Sequence, residues 1–217
     1  MTELVFYTNP MSRGRIVRWM LEEMGIDYTT RIIAYGPEMQ GPRYRAVNPM
    51  AKVPAIRHGE IIVTEAAAIC TYLADAFPAT DLAPKPGTPE RGPFYRWLFF
   101  GAGPMEQAMA NAGLGWTAGS PQAEASLGYG TMERVCRTLD ELLSDGRSYI
   151  LGEQFSAADV YVGAQIIWGL EFKTMDKRPS FSNYVERLTA RPAMVRAQAL
   201  DDHLVEKAEG SQQKTEA

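Results

Sequence analysis

Leu4 to Gly25, LVFYTNPMSRGRIVRWMLEEMG, is the stretch on which the fold reading turns. Its first five residues, Leu4 to Thr8, are apolar and rich in β-formers, so they read as a short strand. Asn9-Pro10 breaks that strand. Ile16, Trp19, Met20 and Met24 then recur at helical spacing, and Gly25 closes the helix. Ser12 stands where an N-cap is expected. Tyr28 to Ile33 reads as a second strand. Two strands joined through a helix in one sheet run parallel, so the chain opens as a βαβ unit.

Working outward, Gly36, Pro37, Gly41 and Pro42 mark Tyr35 to Asn48 as mostly loop. Pro54 to Arg57 and Ile61 to Thr64 read as two short strands around a His58-Gly59-Glu60 turn. Glu65 to Phe77 places Ala66, Ile69, Cys70, Leu73 and Phe77 on one helical face. Pro84, Pro86 and Pro89 mark an exposed linker over 79–90, so residues 1–78 form one domain. Residues 91–217 are helical in pattern throughout. A long helix over 91–113 carries Gly101, Gly103 and Pro104, which predict a kink near Phe100 to Pro104. Ser120-Pro121 starts a helix that continues through Met132, Val135, Cys136, Leu139 and Leu143 to Gly146. Val160 to Leu170, apolar nearly all round, is the expected buried central helix. A short helix through Phe181 and Leu188 and a last one over 193–207 follow, with a frayed polar tail from about 208.

The 217 residues are 46% apolar, enough for one large domain or two small ones. Net charge is −4 with no basic block, which argues against a nucleic-acid partner. No apolar run reaches membrane-spanning length, and Met1 to Thr8 lacks the features of a secretory signal. The two cysteines, Cys70 and Cys136, form no CxxC, which suits a reducing, cytoplasmic setting. The two histidines, His58 and His203, lie far apart in sequence, so no metal site is expected.

Three segments could carry chemistry. The Tyr7 to Arg15 turn ends at a helix N-terminus, with unpaired N–H groups, the Ser12 hydroxyl, and the charges of Arg13 and Arg15. Such a place suits a thiolate; taken alone, the favoured reading is an ordinary serine N-cap with surface arginines. Lys52-Val53-Pro54 opens a strand with a proline. A cis bond there would leave the preceding backbone free to pair with an extended peptide. Thr64-Glu65-Ala66 begins another helix, whose N–H groups could hold a carboxylate while Glu65 pairs with an ammonium group. The plain alternative is an acidic first-turn residue complementing the helix dipole.

In this order and spacing, Ser12-Arg13, Asn48-Pro49, Lys52-Val53-Pro54 and Thr64-Glu65-Ala66-Ala67-Ala68-Ile69 resemble the N-terminal domain of the cytosolic glutathione transferases. Phe155-Ser156-Ala157-Ala158-Asp159-Val160 resembles that family's buried capping box, a structural motif. The resemblance spans roughly Leu4 to Leu204 and is greatest to theta-like bacterial members. It implies a thioredoxin-like α/β N-terminal domain and an all-α helical C-terminal domain. It also implies glutathione as co-substrate, no metal, and a homodimer. By the same resemblance, the Val53 backbone beside a cis Pro54 would pair with the cysteinyl unit of glutathione. Glu65 and the N–H of Ala66 would hold the γ-glutamyl end, and Lys52 would lie near the ligand's carboxylates. The chain departs from the family at Ala66, where a serine is usual.

For thiol activation the resemblance offers two alternatives. Ser12 matches the theta-like serine; in an alpha-class alignment Tyr7 takes the catalytic place and Arg13 a helper's. Met11, Met105 and Met109 would line the pocket for a small apolar electrophile, although plain core filling serves equally for Met105 and Met109. The implied reaction is attack of the glutathione thiolate on an electrophilic carbon. A glutathione-dependent peroxidase or disulfide reductase needs only the same thiolate, and a non-catalytic glutathione-binding protein is the alternative outside the enzymes.

Overall fold

A computed structural model of the chain describes residues 2–213. It divides into two units, residues up to Ala76 together with those from Ala190 on, and Phe77–Thr189.

The first unit is built on a four-stranded sheet. The strands are β1 (Leu4–Thr8), β2 (Thr29–Ile32), β3 (Ala55–His58) and β4 (Ile61–Thr64), in the order β2-β1-β3-β4. The β1–β2 pair is parallel, as the crossover through helix α1 (Gly14–Met24) requires; the other two pairs are antiparallel. Gly25, left-handed at φ 61°, ends α1 as expected. The expected N-cap shifts by one residue: Arg13 holds that position and Ser12 stands just outside the helix. Gly14, at the first helical position, is packed so closely on β1 that a Cβ there would lie 1.9 Å from Thr8 Oγ1.

The stretch read as loop between β2 and β3 contains two single-turn helices, α2 (Pro37–Gln40) and α3 (Pro42–Arg45). Each proline occupies a first-turn position after a glycine. There its missing N–H costs nothing, so residues that read as breakers are helix starts. Helix α4 (Ala66–Ala76) completes the unit's main portion and packs on α1.

Near its start the second unit has a 3-10 turn (Pro78–Thr80) that runs into the segment read as an exposed linker. That segment is anchored: Leu82 is buried, its carbonyl accepts the Ala157 N–H at 2.8 Å, and Arg91 donates to the Pro84 carbonyl. The long helix divides into α5 (Arg91–Phe100), a π-helical turn (Gly101–Met105) and α6 (Glu106–Gly113). Pro104 cannot donate, and the widened turn is the form its interruption takes. The helix expected to run from Ser120 to Gly146 is two, α7 (Pro121–Ser126) and α8 (Met132–Leu143), capped by Ser120 and Thr131. Gly130, left-handed at φ 67°, breaks the chain between them.

Helix α9 (Ala157–Glu171) is the buried centre of this unit, with α10 (Pro179–Thr189) against it. The Ser156–Asp159 capping box is present. The Asp159 carboxylate accepts from Ile150 N at 2.7 Å, Ser156 N at 2.9 Å, Ser156 Oγ at 3.1 Å and Tyr184 Oη at 2.8 Å. Helix α11 (Pro192–Gln213), read as the end of the helical part, returns to the first unit and packs along α1. It runs through residues 208–213, where fraying was expected; the rest of that tail lies outside the described residues. Among the described residues no helix is long and apolar enough to cross a membrane.

Candidate functional site

Sheet register brings the three sequence segments together. Tyr7 faces Ala55 across β1–β3, and Ala55 faces Thr64 across β3–β4. The end of β1, the start of β3 and the end of β4 therefore lie side by side. With neighbouring strands about 4.8 Å apart, the turn after Thr8, Pro54 before Ala55, and Glu65 after Thr64 open at one edge of the sheet within about 10 Å. The end of β2 joins them, because Ile32 pairs with Thr8.

The turn after β1 is held by hydrogen bonds on nearly every polar group. Asn9 Oδ1 accepts the Met11 N–H at 3.0 Å, and Asn9 Nδ2 donates to the Ile33 carbonyl at 3.0 Å. The Ser12 hydroxyl donates to the Asn9 carbonyl at 2.6 Å and accepts the Gly14 N–H at 2.9 Å. Arg15 Nε donates to the Pro10 carbonyl at 2.6 Å, and Tyr35 Oη to the Met11 carbonyl at 3.0 Å. The Asn9, Pro10 and Met11 carbonyls of the turn are thus occupied by donors, the Arg15 guanidinium is paired with Asp202 at 2.8 Å, and the helix end adds positive potential. Ser12 is half-buried; Met11 and Arg13 are exposed.

Lys52-Val53-Pro54 is fixed from behind. Tyr44 Oη and Asn48 Nδ2 both donate to the Lys52 carbonyl, at 2.7 and 2.8 Å. The Val53–Pro54 bond is cis. Val53 precedes the first ladder residue, Ala55, so its backbone takes no part in the β3 register. Lys52 is exposed, Val53 half-buried and Pro54 buried.

Glu65 joins β4 to α4 with a left-handed backbone, φ 66°, which few non-glycine residues adopt. Its side chain is exposed, while the Ala66 methyl is buried. The N–H groups of the first α4 turn are the unsatisfied donors of any helix start.

The two thiol-activating alternatives sit differently. Tyr7 packs on a small cluster of Ile33, Met39 and Tyr44 with Val47 and Val53, its ring 6.0 Å from that of Tyr44. Thr8, the next residue, faces α1 through Gly14, so strand alternation turns Tyr7 to the opposite face. Burial holds the neighbouring Tyr44 phenol well above its ordinary range.

In the second unit Met105 is fully buried and Met109 half-buried. Cys70 and Cys136 are both buried and unbridged, and burial pushes the Cys70 thiol up to about 12, far from a reactive thiolate. Among the described residues no group of three His, Cys, Asp or Glu side chains is placed to hold a metal ion.

Asn9, Tyr35 and Tyr44 shape the site although sequence reading assigned them no role there, and Arg15, expected to add charge, also binds the Pro10 carbonyl. The Asn9-Pro10 pair carried a signal, but as a strand breaker; Tyr35 and Tyr44 act through the carbonyls of Met11 and Lys52, which no spacing reveals.

Comparison with known proteins bears on the family. The family description "Glutathione S-transferase, N-terminal domain" matches residues 11–76, and "Glutathione S-transferase, C-terminal domain" matches residues 122–187. The chain is 25% identical over 176 residues to glutathione S-transferase GstA of Escherichia coli O157:H7, covering 79% of this chain and 86% of that protein. It is 26% identical over 187 residues to maleylacetoacetate isomerase of Rattus norvegicus, covering 82% and 83%. Its fold is similar to that of a sphingomonad glutathione S-transferase solved in complex with glutathione, with a TM-score of 0.72 and 27% identity over 91% of this chain and 98% of the other. Two successive domains of one family, matched over more than half its length, place this chain in the glutathione S-transferase family.

Proposed function

We propose that the chain catalyses attack of the glutathione thiolate on an electrophilic carbon of a small apolar substrate. The observation that carries this reading is the shared sheet edge formed by the β1 turn, the Val53–Pro54 segment and Glu65. In this reading Val53 pairs through its backbone with the cysteinyl unit, and Lys52 neutralises a carboxylate. Glu65 takes the γ-glutamyl ammonium, and the α4 N-terminus at Ala66 takes the γ-glutamyl carboxylate through N–H groups alone. The thiol then lies at the β1 turn.

Ser12 is the proposed thiol activator, with Arg13 adding positive potential. Tyr7 is assigned a packing role, because its ring belongs to the Tyr44 cluster. An ordinary thiol has a pKa of about 8.5, and lowering it by about two units takes roughly 2.7 kcal/mol. A helix N-terminus supplies about 0.3–1 kcal/mol, which is too little. A hydroxyl hydrogen bond to an anion adds about 1.5–3 kcal/mol. The Gly14 N–H on Oγ polarises that hydroxyl and strengthens it as a donor. Met11, exposed beside Ser12, is the proposed contact for the apolar substrate.

The test is conjugation of glutathione to an activated aryl halide, run beside reduction of an organic hydroperoxide. Aryl transfer that saturates in glutathione supports the reading. Peroxide reduction without aryl transfer would move the assignment to a peroxidase, and glutathione binding with neither activity to a binding protein.

A further inference from the structure

We propose that Asn9 is a positioning residue that sets the direction of the Ser12 hydroxyl and so tunes the thiol; this rests on the assignment of Ser12 above. Asn9 is 9% exposed, and both ends of its side chain and its main-chain carbonyl are hydrogen-bonded. Its Oδ1 holds the Met11 N–H, its Nδ2 ties the turn to the end of β2 at Ile33, and its main-chain carbonyl receives the Ser12 proton. The primary amide suits this post: Asp lacks the donor for Ile33, and Ser cannot fill both ends at once.

The serine hydroxyl has one proton. It rests on the Asn9 carbonyl at 2.6 Å while the Gly14 N–H approaches Oγ from the other side at 2.9 Å. Donation to a sulfur anion requires that proton to leave the Asn9 carbonyl. Two acceptors therefore compete for it, and the place of one of them is fixed by the Asn9 side chain. Without the clamp the Met11 N–H and Ile33 carbonyl lose their partner, the turn samples other shapes, and Oγ no longer stays within the narrow geometry a strong hydrogen bond needs.

The experiment titrates the ultraviolet thiolate absorbance of bound glutathione in the wild type, Asn9→Ala, Ser12→Ala and the double variant. Asn9→Ala should raise the thiol pKa by about one unit, with kcat/KM falling about threefold at about pH 7, by up to about tenfold well below both pKa values, and recovering as pH rises above the raised pKa. In the Ser12→Ala background the same change should add no further shift, because Asn9 acts through the hydroxyl. A wild-type titration in Asn9→Ala, an equal shift in both backgrounds, or a loss of activity independent of pH would each overturn the proposal. Should Asn9→Ala fail to fold, Asn9→Ser keeps an acceptor for Met11 and loses the tie to Ile33, and the same two-background comparison decides. If Ser12→Ala itself titrates as wild type, the Ser12 assignment falls; if it shifts while the Asn9 variants do not, only the role of Asn9 falls.

Discussion

Glu65 holds a backbone conformation that costs a non-glycine residue on the order of 1 kcal/mol or more, and Ala51, just before Lys52, holds another at φ 52°. Both flank segments of the site, where such strain concentrates when a side chain and a bend are needed together. Glu65→Gln keeps the bend and removes the charge. Glutathione affinity should fall by about 1.5–3 kcal/mol, roughly ten- to a hundredfold. An analogue lacking the γ-glutamyl amino group should bind both forms alike, as calorimetry would show; an equal loss for both ligands contradicts the pairing. Asp159 is a residue of the other kind. Its four hydrogen bonds serve the start of α9, and burial pushes its carboxyl from 3.8 up to about 6. A raised folded-state pKa stabilises fully below the unfolded value and loses that contribution as pH rises through the folded one. The difference in unfolding free energy between wild type and Asp159→Asn should therefore fall by about 3 kcal/mol between about pH 4 and pH 6.5, then level off. A difference that is flat with pH contradicts it.

At the scale of elements, α1 and its entry turn carry the site, and Gly14 is the contact on which their seating depends. Gly14→Ala drives a Cβ into Thr8 Oγ1, and such overpacking costs about 1–3 kcal/mol. It should lower the melting temperature and also raise the thiol pKa, because the Gly14 N–H is bonded to Ser12 Oγ. A loss of stability with an unshifted titration would separate the helix seat from the chemistry. The same elements show what sequence made legible. Apolar runs located β1 and α9, which are buried nearly all round, and period-3.6 spacing located α1 and α4, each of which shows an apolar face. Pro37 and Pro42 misled, since proline at a helix start and proline in a loop look alike without the backbone. The gap between α7 and α8 was hidden because Met132 to Leu143 continues a plausible face, and only the left-handed Gly130 breaks it. Ser12, Val53, Pro54 and Glu65 were named from motif order, whereas Asn9 and Tyr44 were not, because their partners are main-chain carbonyls supplied by folding.

At the scale of the molecule, α11 belongs with the first unit through a buried pair. Arg18 Nε meets Asp201 Oδ1 at 3.2 Å, with both residues at most 3% exposed. The Arg18 guanidinium also donates to Tyr28 Oη and Thr30 Oγ1 and lies 5.1 Å from the Phe6 ring centroid. The sequence marked a last helix over 193–207 but not the partner it covers, so it could not assign that helix to a unit. Asp201→Ala leaves Arg18 buried without its counter-ion and should destabilise the fold by about 3–5 kcal/mol in chemical denaturation, whereas an unchanged midpoint would mean the pair is dispensable. The whole arrangement, a sheet edge closed by three segments and a helix end seated on Thr8, has as its central claim that glutathione is ionised at Ser12. Titrating the thiol of bound glutathione by ultraviolet absorbance in wild type, Ser12→Ala and Tyr7→Phe tests this most directly. The account expects a thiol pKa about two units below the free value in wild type and Tyr7→Phe, and a return most of the way to about 8.5 in Ser12→Ala. A titration shifted by Tyr7→Phe and untouched by Ser12→Ala would contradict it.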